Sequence, residues 1–598
     1  MAFNFLLAAI NAKYIHSNLA IYSLRAHVGE GLRQSVELAE YTVNQPIQEI
    51  LADIYRRKPD AVGFSCYIWN WRTVQELLAE LPKLLPDTVL WLGGPEVAYD
   101  ANVILKKYPQ LTGIMTGEGE ETFRELLQYY VSFGTGHKVP LPKDIRGLYL
   151  PEGCTPSRPL ADPDSLPFPY GDLAPFENKI IYYESSRGCP FRCSYCLSSI
   201  DKTVRLRNIE TVRKELQFFL DHHVKQVKFV DRTFNCDHDH AMAIWQYISK
   251  HDNGVTNFHF EISADLLRAD EIELLKSFRP GLAQLEIGVQ SVNKETLHAV
   301  RRMTNLEQLE KNVGAIRSVR NIHQHLDLIA GLPYENYDSF VESFNRVYAM
   351  DPDQLQLGFL KVLKGSEMWE RAEEYGIRYL DGPPYEVLAT KWLSYEEVLR
   401  LKNVEEMVEL YYNSAQFTHT LPFLEKAFSS PFAMYEALAD YYRQNSCLTV
   451  TSSRIYRYQV LLAFAAWQDG KRLEAYRELL TFDMYLREKP KTRPDFAAEL
   501  SNHKDTVRAF YQAEAQNRRF LSDYAGYDWK QLSKMTHLEP FSYPVWDERQ
   551  MAECYDKWGA VASRHKEPIA RGLAFVLFDY KKRNPLNREA AVTKIDLE

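Results

Sequence analysis

The chain has 598 residues and a formal net charge of -9, with 45% hydrophobic and 25% charged residues. One hydrophobic core rarely serves so long a chain, so we expect about three or four domains. A negative net charge offers no basic face for phosphate groups, which disfavours nucleic acid as a partner. The sequence has no run of about eighteen apolar residues and no amino-terminal positive segment with a cleavage site. We therefore expect a cytoplasmic protein that does not enter a membrane.

Residues 1–138 alternate short apolar runs with helical patterns, which is typical of a parallel sheet flanked by helices. The predicted strands are Phe3–Ile10, Ser35–Val43, Ala61–Cys66, Thr88–Gly93 and Gly113–Thr116. These βα units predict a doubly wound, flavodoxin-like α/β domain, in which ligands bind beyond the carboxyl ends of the strands.

The next segment, residues 139–178, is rich in proline and contains one strand-like piece, IRGLYL. Proline fixes φ and removes a hydrogen-bond donor, so we expect an extended connector with at most a small hairpin. A second βα alternation covers residues 179–368, with predicted strands IIYYESS, VKQVKFV, NFHFEIS, LAQLEIGV, HLDLIAG and QLQLGFL. Six units are fewer than a closed eight-stranded barrel needs, so we predict an open, partial (β/α)6 barrel of the TIM type.

Residues 369–598 predict a mostly α-helical domain. The strand signal disappears after DGPPYE, residues 381–386. Ser394 and Glu397 have the spacing of a capping box, which predicts that a helix begins there. In that helix we expect Val404, Met407, Val408 and Tyr411 to share one face.

Three cysteines, Cys189, Cys193 and Cys196, lie close together in the segment CPFRCSYC. In a reducing compartment such a group indicates metal binding. Three thiolates can bind three irons of a 4Fe-4S cubane and leave one iron open. The alternative is a zinc site, which usually needs a fourth ligand nearby. The next histidines, His222 and His223, lie well beyond the loop.

The segment ESSRGCPFRCSYC, residues 184–196, resembles the first strand and cluster loop of the radical S-adenosylmethionine (SAM) superfamily. FVDRTFN, FEISADLL, LEIGVQSVNKETL and DLIAGLPYE follow in the order of that superfamily's later strands. The resemblance implies reductive cleavage of SAM to a 5'-deoxyadenosyl radical. It also implies SAM contacts from Tyr195, Asp231, Asn235, Glu261, Ser263 and Gln290. Carboxylates and amides at strand ends suit the ammonium, ribose and adenine groups of SAM.

The order of the domains over about the first 365 residues is similar to that of the cobalamin-binding branch of this superfamily. The loops GFSCYIWN, LGGPEV and GEGEETF resemble those that hold cobalamin. They imply contacts from Tyr14, His16, Ser65, Gly93, Gly94, Glu96, Gly117 and Glu118. A nucleotide-binding or purely structural α/β domain is the alternative.

The sequence leaves two possibilities for the lower axial ligand of cobalt. The motif D-x-H-x-x-G of many cobalamin proteins is absent, but YIHSNL keeps a histidine, His16, at the same location. In the second possibility, neither a histidine nor the nucleotide base of cobalamin itself binds the lower face of cobalt.

The resemblance implies methyl transfer to an unactivated carbon of an unidentified small molecule, with flavodoxin or ferredoxin as reductant. Two rivals remain: a cyclisation, rearrangement or oxidation without methyl transfer, and a cobalamin or redox sensor that is not an enzyme. The last 220 or so residues loosely resemble a domain of unknown function attached to some members of the branch. The sequence identifies neither the substrate nor the oligomeric state.

Overall fold

The computed structural model of the protein describes residues 3–134, 140–447, 453–561 and 572–595. The chain forms two compact units. The first comprises Met1–Gln324, Ile329–Asn336 and Gly358–Tyr395, and the second comprises His325–Leu328, Tyr337–Leu357 and Glu396–Glu598. The predicted boundary between residues 138 and 139 lies outside the described residues, and the division into four domains stays a prediction. Within the described part of the chain, no helix is long and apolar enough to cross a membrane.

The amino-terminal sheet is built on strand β1, Phe5–Asn11, whose residues are all buried. The other parallel strands are β2 (Val36–Thr42), β3 (Ala61–Ser65), β4 (Val89–Gly93) and β5 (Leu111–Met115). Their order in the sheet is β2-β1-β3-β4-β5, with parallel pairing throughout. This is the flavodoxin-like order, which confirms the predicted fold of this region.

Helices cover both faces of this sheet. They are α1 (Leu19–His27), α2 (Glu30–Arg33), α3 (Ile47–Arg57), α4 (Trp71–Leu84), α5 (Pro95–Ala98), α6 (Ala101–Lys107) and α7 (Gly119–Phe133). Alternate residues of β1 enter two separate apolar cores: Leu6 and Ala8 in one, Phe5 and Leu7 in the other. Since both faces are buried, the loops at the carboxyl edge are left to form a site.

The proline-rich segment contains the expected hairpin, formed by β6 (Leu148–Leu150) and β7 (Gly153–Cys154). The hairpin also pairs antiparallel with β5 and so extends the amino-terminal sheet, which the sequence did not predict.

A second sheet of six strands has the order β8-β11-β12-β13-β14-β15. Its strands are β8 (Ile181–Tyr183), β11 (Gln226–Phe229), β12 (Asn257–Ile262), β13 (Ala283–Gln290), β14 (His323–Ala330) and β15 (Gln354–Phe359). Two short strands, β9 (Ser186–Arg187) and β10 (Arg205–Leu206), pair antiparallel with each other and lie between β8 and β11 along the chain. Because β8 and β15 are edges in this order, the sheet is open, as predicted for a partial barrel.

Helices alternate with these strands. They are α8 (Ile209–Asp221), α9 (His238–Lys250), α10 (Ala269–Lys276), α11 (Lys294–Ala299), α12 (Leu306–Arg317), α13 (Tyr337–Tyr348) and α14 (Glu367–Glu370). A strand pair follows, β16 (Arg378–Tyr379) with β17 (Val387–Ala389).

The carboxyl-terminal region is mostly helical, as predicted. Its helices are α15 (Tyr395–Met407), α16 (Thr420–Glu425), α17 (Pro431–Gln444), α18 (Arg454–Asp469), α19 (Leu473–Arg487), α20 (Lys504–Asn517), α21 (Trp529–Met535) and α22 (Glu548–Val561). Helix α15 begins next to Ser394, and Val404, Met407, Val408 and Tyr411 are all buried.

The expectation that strands end at residue 386 was wrong. An antiparallel sheet is formed by β18 (Thr536–Phe541), β19 (Ala574–Arg583) and β20 (Ala590–Ile595). Strand β18 contains Pro540, which weakens a strand signal but is tolerated at an edge, where β18 lies.

Candidate functional site

The cysteine loop begins directly after β9. Gly188, between β9 and Cys189, has a φ of +93°, and a Cβ atom there would lie 1.8 Å from the carbonyl oxygen of Thr203. Only glycine fits this conformation and this close approach. The turn that joins β9 to the cysteine loop therefore requires glycine at position 188.

The three cysteines of the loop are free, with Cys189 and Cys193 buried and Cys196 partly exposed. Burial raises the pKa of Cys189, and the neighbouring Cys196 and Cys193 raise it further. The thiols therefore interact electrostatically with one another, and a bound cation would favour their charged form.

The spacing of these thiols differs from that of a single-ion site. Sulfur ligands about 2.3 Å from one zinc ion lie roughly 3.8 Å apart. Among the residues that the structure describes, one group of three metal-binding side chains has all its ligand atoms within 4.8 Å, and that group is His238, Asp270 and Glu271. The three loop cysteines are not part of that group, and the loop contains no histidine as a fourth ligand, so its donor set suits a cluster with one open iron better than a four-ligand zinc site.

A partly buried cation, Arg302, lies beside the loop. Its Nη1 atom is 3.9 Å from Sγ of Cys193, and its other terminal nitrogen donates to the carbonyl oxygen of Gly288. Gln290, two residues further along β13, has a φ of +72° and a buried Oε1 atom without a hydrogen-bond partner. Burial raises the pKa of Tyr195, and the adjacent Cys193 adds to that rise against the effect of Arg302. The loop, Tyr195 and Gln290 thus meet around a guanidinium group that the sequence analysis missed.

Asp231 is 1% exposed and already has three donors. Its carboxylate accepts from the Ser185 amide at 3.0 Å and from the hydroxyls of Ser185 and Ser186 at 2.6 Å each. Burial raises the pKa of this carboxyl, and these hydrogen bonds oppose the rise. Asp231 therefore holds the strand end that precedes the cysteine loop.

Two further predicted SAM contacts, Asn235 and Ser263, bond each other. The Asn235 amide donates to the Ser263 carbonyl, and the Ser263 amide donates to Asn235, both at 2.9 Å. The Ser263 hydroxyl donates to Asp265 at 2.7 Å. Glu261, on β12, is partly exposed and lies 4.0 Å from Lys228.

A cavity of about 450 Å³ opens at the carboxyl edge of the amino-terminal sheet. Five predicted cobalamin contacts line it: Ser65, Gly93, Gly94, Gly117 and Glu118. Gly94 has a φ of +111°, and a Cβ atom there would lie 2.5 Å from the Cys66 carbonyl oxygen. Leu197, Ile200 and Asp201 of the cysteine-loop segment line the same cavity.

A second cavity of about 480 Å³ adjoins the first and shares Ala20, Tyr67 and Glu120 with it. His16 lines this cavity, and its Nδ1 atom is 2.7 Å from the Tyr182 hydroxyl. Burial lowers the pKa of His16, and Lys13 and Lys228 lower it further, so the ring is neutral near neutral pH. The lining also includes Trp69, whose ring is stacked with that of Tyr67 at a centroid distance of 4.3 Å.

Two predicted cobalamin contacts lie elsewhere, and a third has other partners. Tyr14 is 67% exposed and lines neither cavity. Glu96 is buried and accepts a hydrogen bond from the Tyr385 hydroxyl, with Lys364 at 3.9 Å. Glu118 accepts from Arg205 at 2.6 Å. Glu96 and Glu118 therefore tie the loops of the amino-terminal sheet to other segments of the first unit.

Three family models match separate parts of the chain. The B12 binding domain matches residues 6–127, the Radical SAM superfamily residues 183–347, and a protein of unknown function, DUF4080, residues 373–558.

Curated proteins are similar to this chain over about half of its length. The cobalamin-dependent radical SAM methyltransferase TokK of Streptomyces tokunonensis is 27% identical in an alignment that covers 56% of this chain and 51% of TokK. The chain spans about half the length of the curated relatives it matches.

Two solved structures share the fold. The methyltransferase TsrM of Kitasatospora setae, solved with cobalamin and a [4Fe-4S] cluster, has a TM-score of 0.53 at 17% identity, covering 64% of this chain and 82% of TsrM. The enzyme OxsB, solved with aqua-cobalamin and SAM, has a TM-score of 0.53 at 14% identity, covering 94% of this chain and 84% of OxsB. The chain thus contains regions that match the B12 binding domain, the Radical SAM superfamily and DUF4080 in that order, and it is similar to cobalamin-dependent radical SAM methyltransferases.

Proposed function

We propose that this protein is a cobalamin-dependent radical SAM enzyme that transfers a methyl group to an unactivated carbon of a small molecule. The observation that carries the proposal is the loop of three unbridged thiols, Cys189, Cys193 and Cys196, beside two adjoining cavities at the carboxyl edge of the amino-terminal sheet.

The donor set of the loop fits a 4Fe-4S cluster with one iron left for SAM. When bound, such a cluster supplies the electron that cleaves the sulfonium of SAM. The chain's own part is to hold the cysteines, through Gly188 and the Asp231 hydrogen bonds, and to place Arg302 beside Cys193. A guanidinium group there suits the carboxylate of SAM, and the orphaned Gln290 Oε1 accepts a donor from the same ligand. Tyr195 and Glu261 stay proposed SAM contacts, while Asp231, Asn235 and Ser263 support them as positioning residues.

The two cavities fit a large, flat ligand with a tail. Ser65, Gly93, Gly94 and Gly117 offer backbone and small side chains to the tail, and the amino terminus of α7 suits its phosphate. Tyr67 and Trp69 offer an aromatic surface to the corrin ring. Cobalamin, when bound, supplies the methyl carrier.

His16 stays the proposed axial ligand of cobalt, against binding without any protein ligand. Its Nδ1 atom has a partner, the Tyr182 hydroxyl, as metal-bound histidines usually do. Electron paramagnetic resonance of cob(II)alamin in the wild type and in His16→Phe decides between the two states. Nitrogen hyperfine splitting that vanishes in His16→Phe supports ligation, and identical spectra reject it.

The cluster assignment is tested by anaerobic reconstitution with iron and sulfide. We expect about 4 irons per chain and formation of 5'-deoxyadenosine from SAM after reduction. The triple variant Cys189→Ala, Cys193→Ala, Cys196→Ala loses both, whereas Cys154→Ala, an exposed cysteine outside the loop, keeps both. Iron retained by the triple variant rejects the proposal.

Methyl transfer is tested separately with methyl-labelled SAM. The proposal predicts label in a product, together with 5'-deoxyadenosine and S-adenosylhomocysteine. A product without label supports the second candidate, a cyclisation, rearrangement or oxidation. Failure to cleave SAM under any condition supports a sensor instead. We further propose that the protein acts in the cytoplasm with flavodoxin or ferredoxin as reductant, since open clusters need a reducing compartment.

A further inference from the structure

The first four strands of the barrel sheet have two chemically different faces. Toward the helices, Tyr183 packs against Phe219 of α8, and Phe260 of β12 packs against Trp245 of α9. Val227, Leu285 and Ile287 on the same side are buried. Because side chains alternate along a strand, the opposite face carries a separate set of residues. That set includes Tyr182, Lys228, His259, Glu261, Gln284 and Glu286, and Glu261, a proposed SAM contact, lies 4.0 Å from Lys228.

This opposite face is the interior of the partial barrel, since helices cover the outside. Interiors of such barrels are usually filled with branched apolar side chains. Here the strands instead place ionisable groups side by side: Tyr182, Lys228 and His259 are neighbours in the sheet register. We call Tyr182, Lys228, His259 and Glu286 the polar patch.

The members of the polar patch hold one another in place. Nζ of Lys228 donates to Glu286 at 2.8 Å, and Nε2 of His259 lies 2.9 Å from the same carboxylate oxygen. The side chains of Lys228 and Glu286 remain 23% and 24% exposed, so both can be reached from the barrel interior. An organised ion pair that is still partly exposed can exchange hydrogen bonds with a ligand without being built anew.

The polar patch is continuous with the second cavity. Tyr182 lines that cavity and contacts His16 through its hydroxyl, while its backbone neighbour in the sheet is Lys228. A substrate group held by Lys228 and Glu286 would therefore lie near the cavity that contains His16.

We propose that the polar patch binds an ionisable, hydrogen-bonding group of the substrate, so that the substrate is a water-soluble polar molecule and not a hydrocarbon or isoprenoid lipid. The inference rests on the proposed function and deepens it. An apolar substrate would cover the Lys228–Glu286 pair without replacing the water it loses, which is unfavourable. A polar group replaces those hydrogen bonds.

The test measures 5'-deoxyadenosine formed by the reconstituted full-length holoenzyme. An extract of the organism that encodes the chain is divided into water-soluble and organic-soluble fractions, and each is added separately. The readout is the rate with the fraction divided by the rate without it, determined for every variant, so that changes in the unstimulated rate cancel. We expect the water-soluble fraction to stimulate the wild type.

The variants are Lys228→Met, Glu286→Gln and the double variant Lys228→Met/Glu286→Met. The double variant removes both charges together, so that neither side chain is left without its ionic partner. We expect stimulation to fall by about tenfold or more in all three, since hydrogen bonds to charged groups are lost. Lys225→Met is the matched control, because Lys225 is exposed and bonds Asn178 outside the polar patch.

The results separate the two proposals. A response to the organic-soluble fraction or to neither, or a double variant that responds like the wild type, overturns the polar patch as a substrate site. A wild type that forms no 5'-deoxyadenosine at all overturns the proposed function itself. Stimulation without methyl transfer leaves the polar patch standing and points to the second candidate reaction.

Discussion

The guanidinium group of Arg187 donates a hydrogen bond to the carboxylate of Glu120, which is 67 residues earlier in the chain. Arg187 ends β9, immediately before the cysteine loop, and Glu120 lies in the first turn of α7. The same arginine donates to Glu184 at 2.8 Å. The contact thus joins the segment that carries the cysteines to the edge of the sheet where we propose that cobalamin binds.

Replacing Arg187 by methionine is expected to destabilise this junction. The side chains of Arg187 and Glu120 are only 13% and 10% exposed, so the variant leaves carboxylates buried without their cation. Removing one partner of such a pair costs about 3–5 kcal/mol. We expect a lower Tm in calorimetry and weaker retention of cobalamin on gel filtration.

Arg213→Met is the control for that prediction, since Arg213 pairs with Glu210 on an exposed face. Its effect should be below about 1 kcal/mol. An equal loss of Tm in the two variants would show that the Arg187 contact has no special role.

Gly188→Ala is expected to displace the cysteine loop. The added Cβ would overlap the Thr203 carbonyl, and the positive φ is unfavourable for alanine. We expect iron content after reconstitution to fall well below that of the wild type. Gly171→Ala is the matched control, because Gly171 has open space around it and no positive φ. Normal iron content in Gly188→Ala would contradict the described loop geometry.

Tyr385→Phe tests the buried contact with Glu96. Burial raises the pKa of Glu96, and the hydrogen bond from Tyr385 opposes that rise. Loss of the hydroxyl should raise the pKa of Glu96 further and lower the free energy of unfolding by about 1–3 kcal/mol.

The control for this change is Tyr395→Phe, at a side chain that is 52% exposed. It should alter the free energy of unfolding by less than about 0.5 kcal/mol. Chemical denaturation of both variants at neutral pH compares them. Equal unfolding curves would show that the hydrogen bond from Tyr385 to Glu96 does not stabilise the first unit.

Local patterns were enough to predict both parallel sheets and the cysteine loop. Strands such as Ala283–Gln290 alternate strictly between buried and partly exposed residues, and the three cysteines are only seven residues apart from first to last. Such signals need no knowledge of distant parts of the chain. The antiparallel strand Ala574–Arg583 carries an apolar run. One of its partner strands is separated from it by a loop, and the other is interrupted by Pro540, so the sequence pattern did not predict the sheet.

The polar contacts of the site could not be predicted in the same way. Arg302 meets Cys193 across 109 residues, and Tyr385 meets Glu96 across 289. The sequence assigned Glu96 and Glu118 to a ligand because their loops resembled a cobalamin site. In the structure these carboxylates bond other side chains, since buried charges take the nearest donor that folding provides.

The stability of the barrel should depend on pH through Glu286. Burial alone would raise the pKa of this carboxyl, but His259 and Lys228 outweigh it and hold the pKa well below its ordinary range. A carboxyl whose pKa is depressed by folding contributes stability above its unfolded pKa of about 4.3 and loses it as the pH falls toward the folded value. The contribution is on the order of 2 kcal/mol.

In calorimetry of the cluster-free protein between about pH 6 and pH 3, the Tm of Glu286→Gln should therefore fall less steeply than that of the wild type. Glu210→Gln, at an exposed carboxylate, should follow the wild-type slope. If Glu286→Gln also follows it, the carboxyl is not held by Lys228 and His259 in solution, and the polar patch loses its central charge.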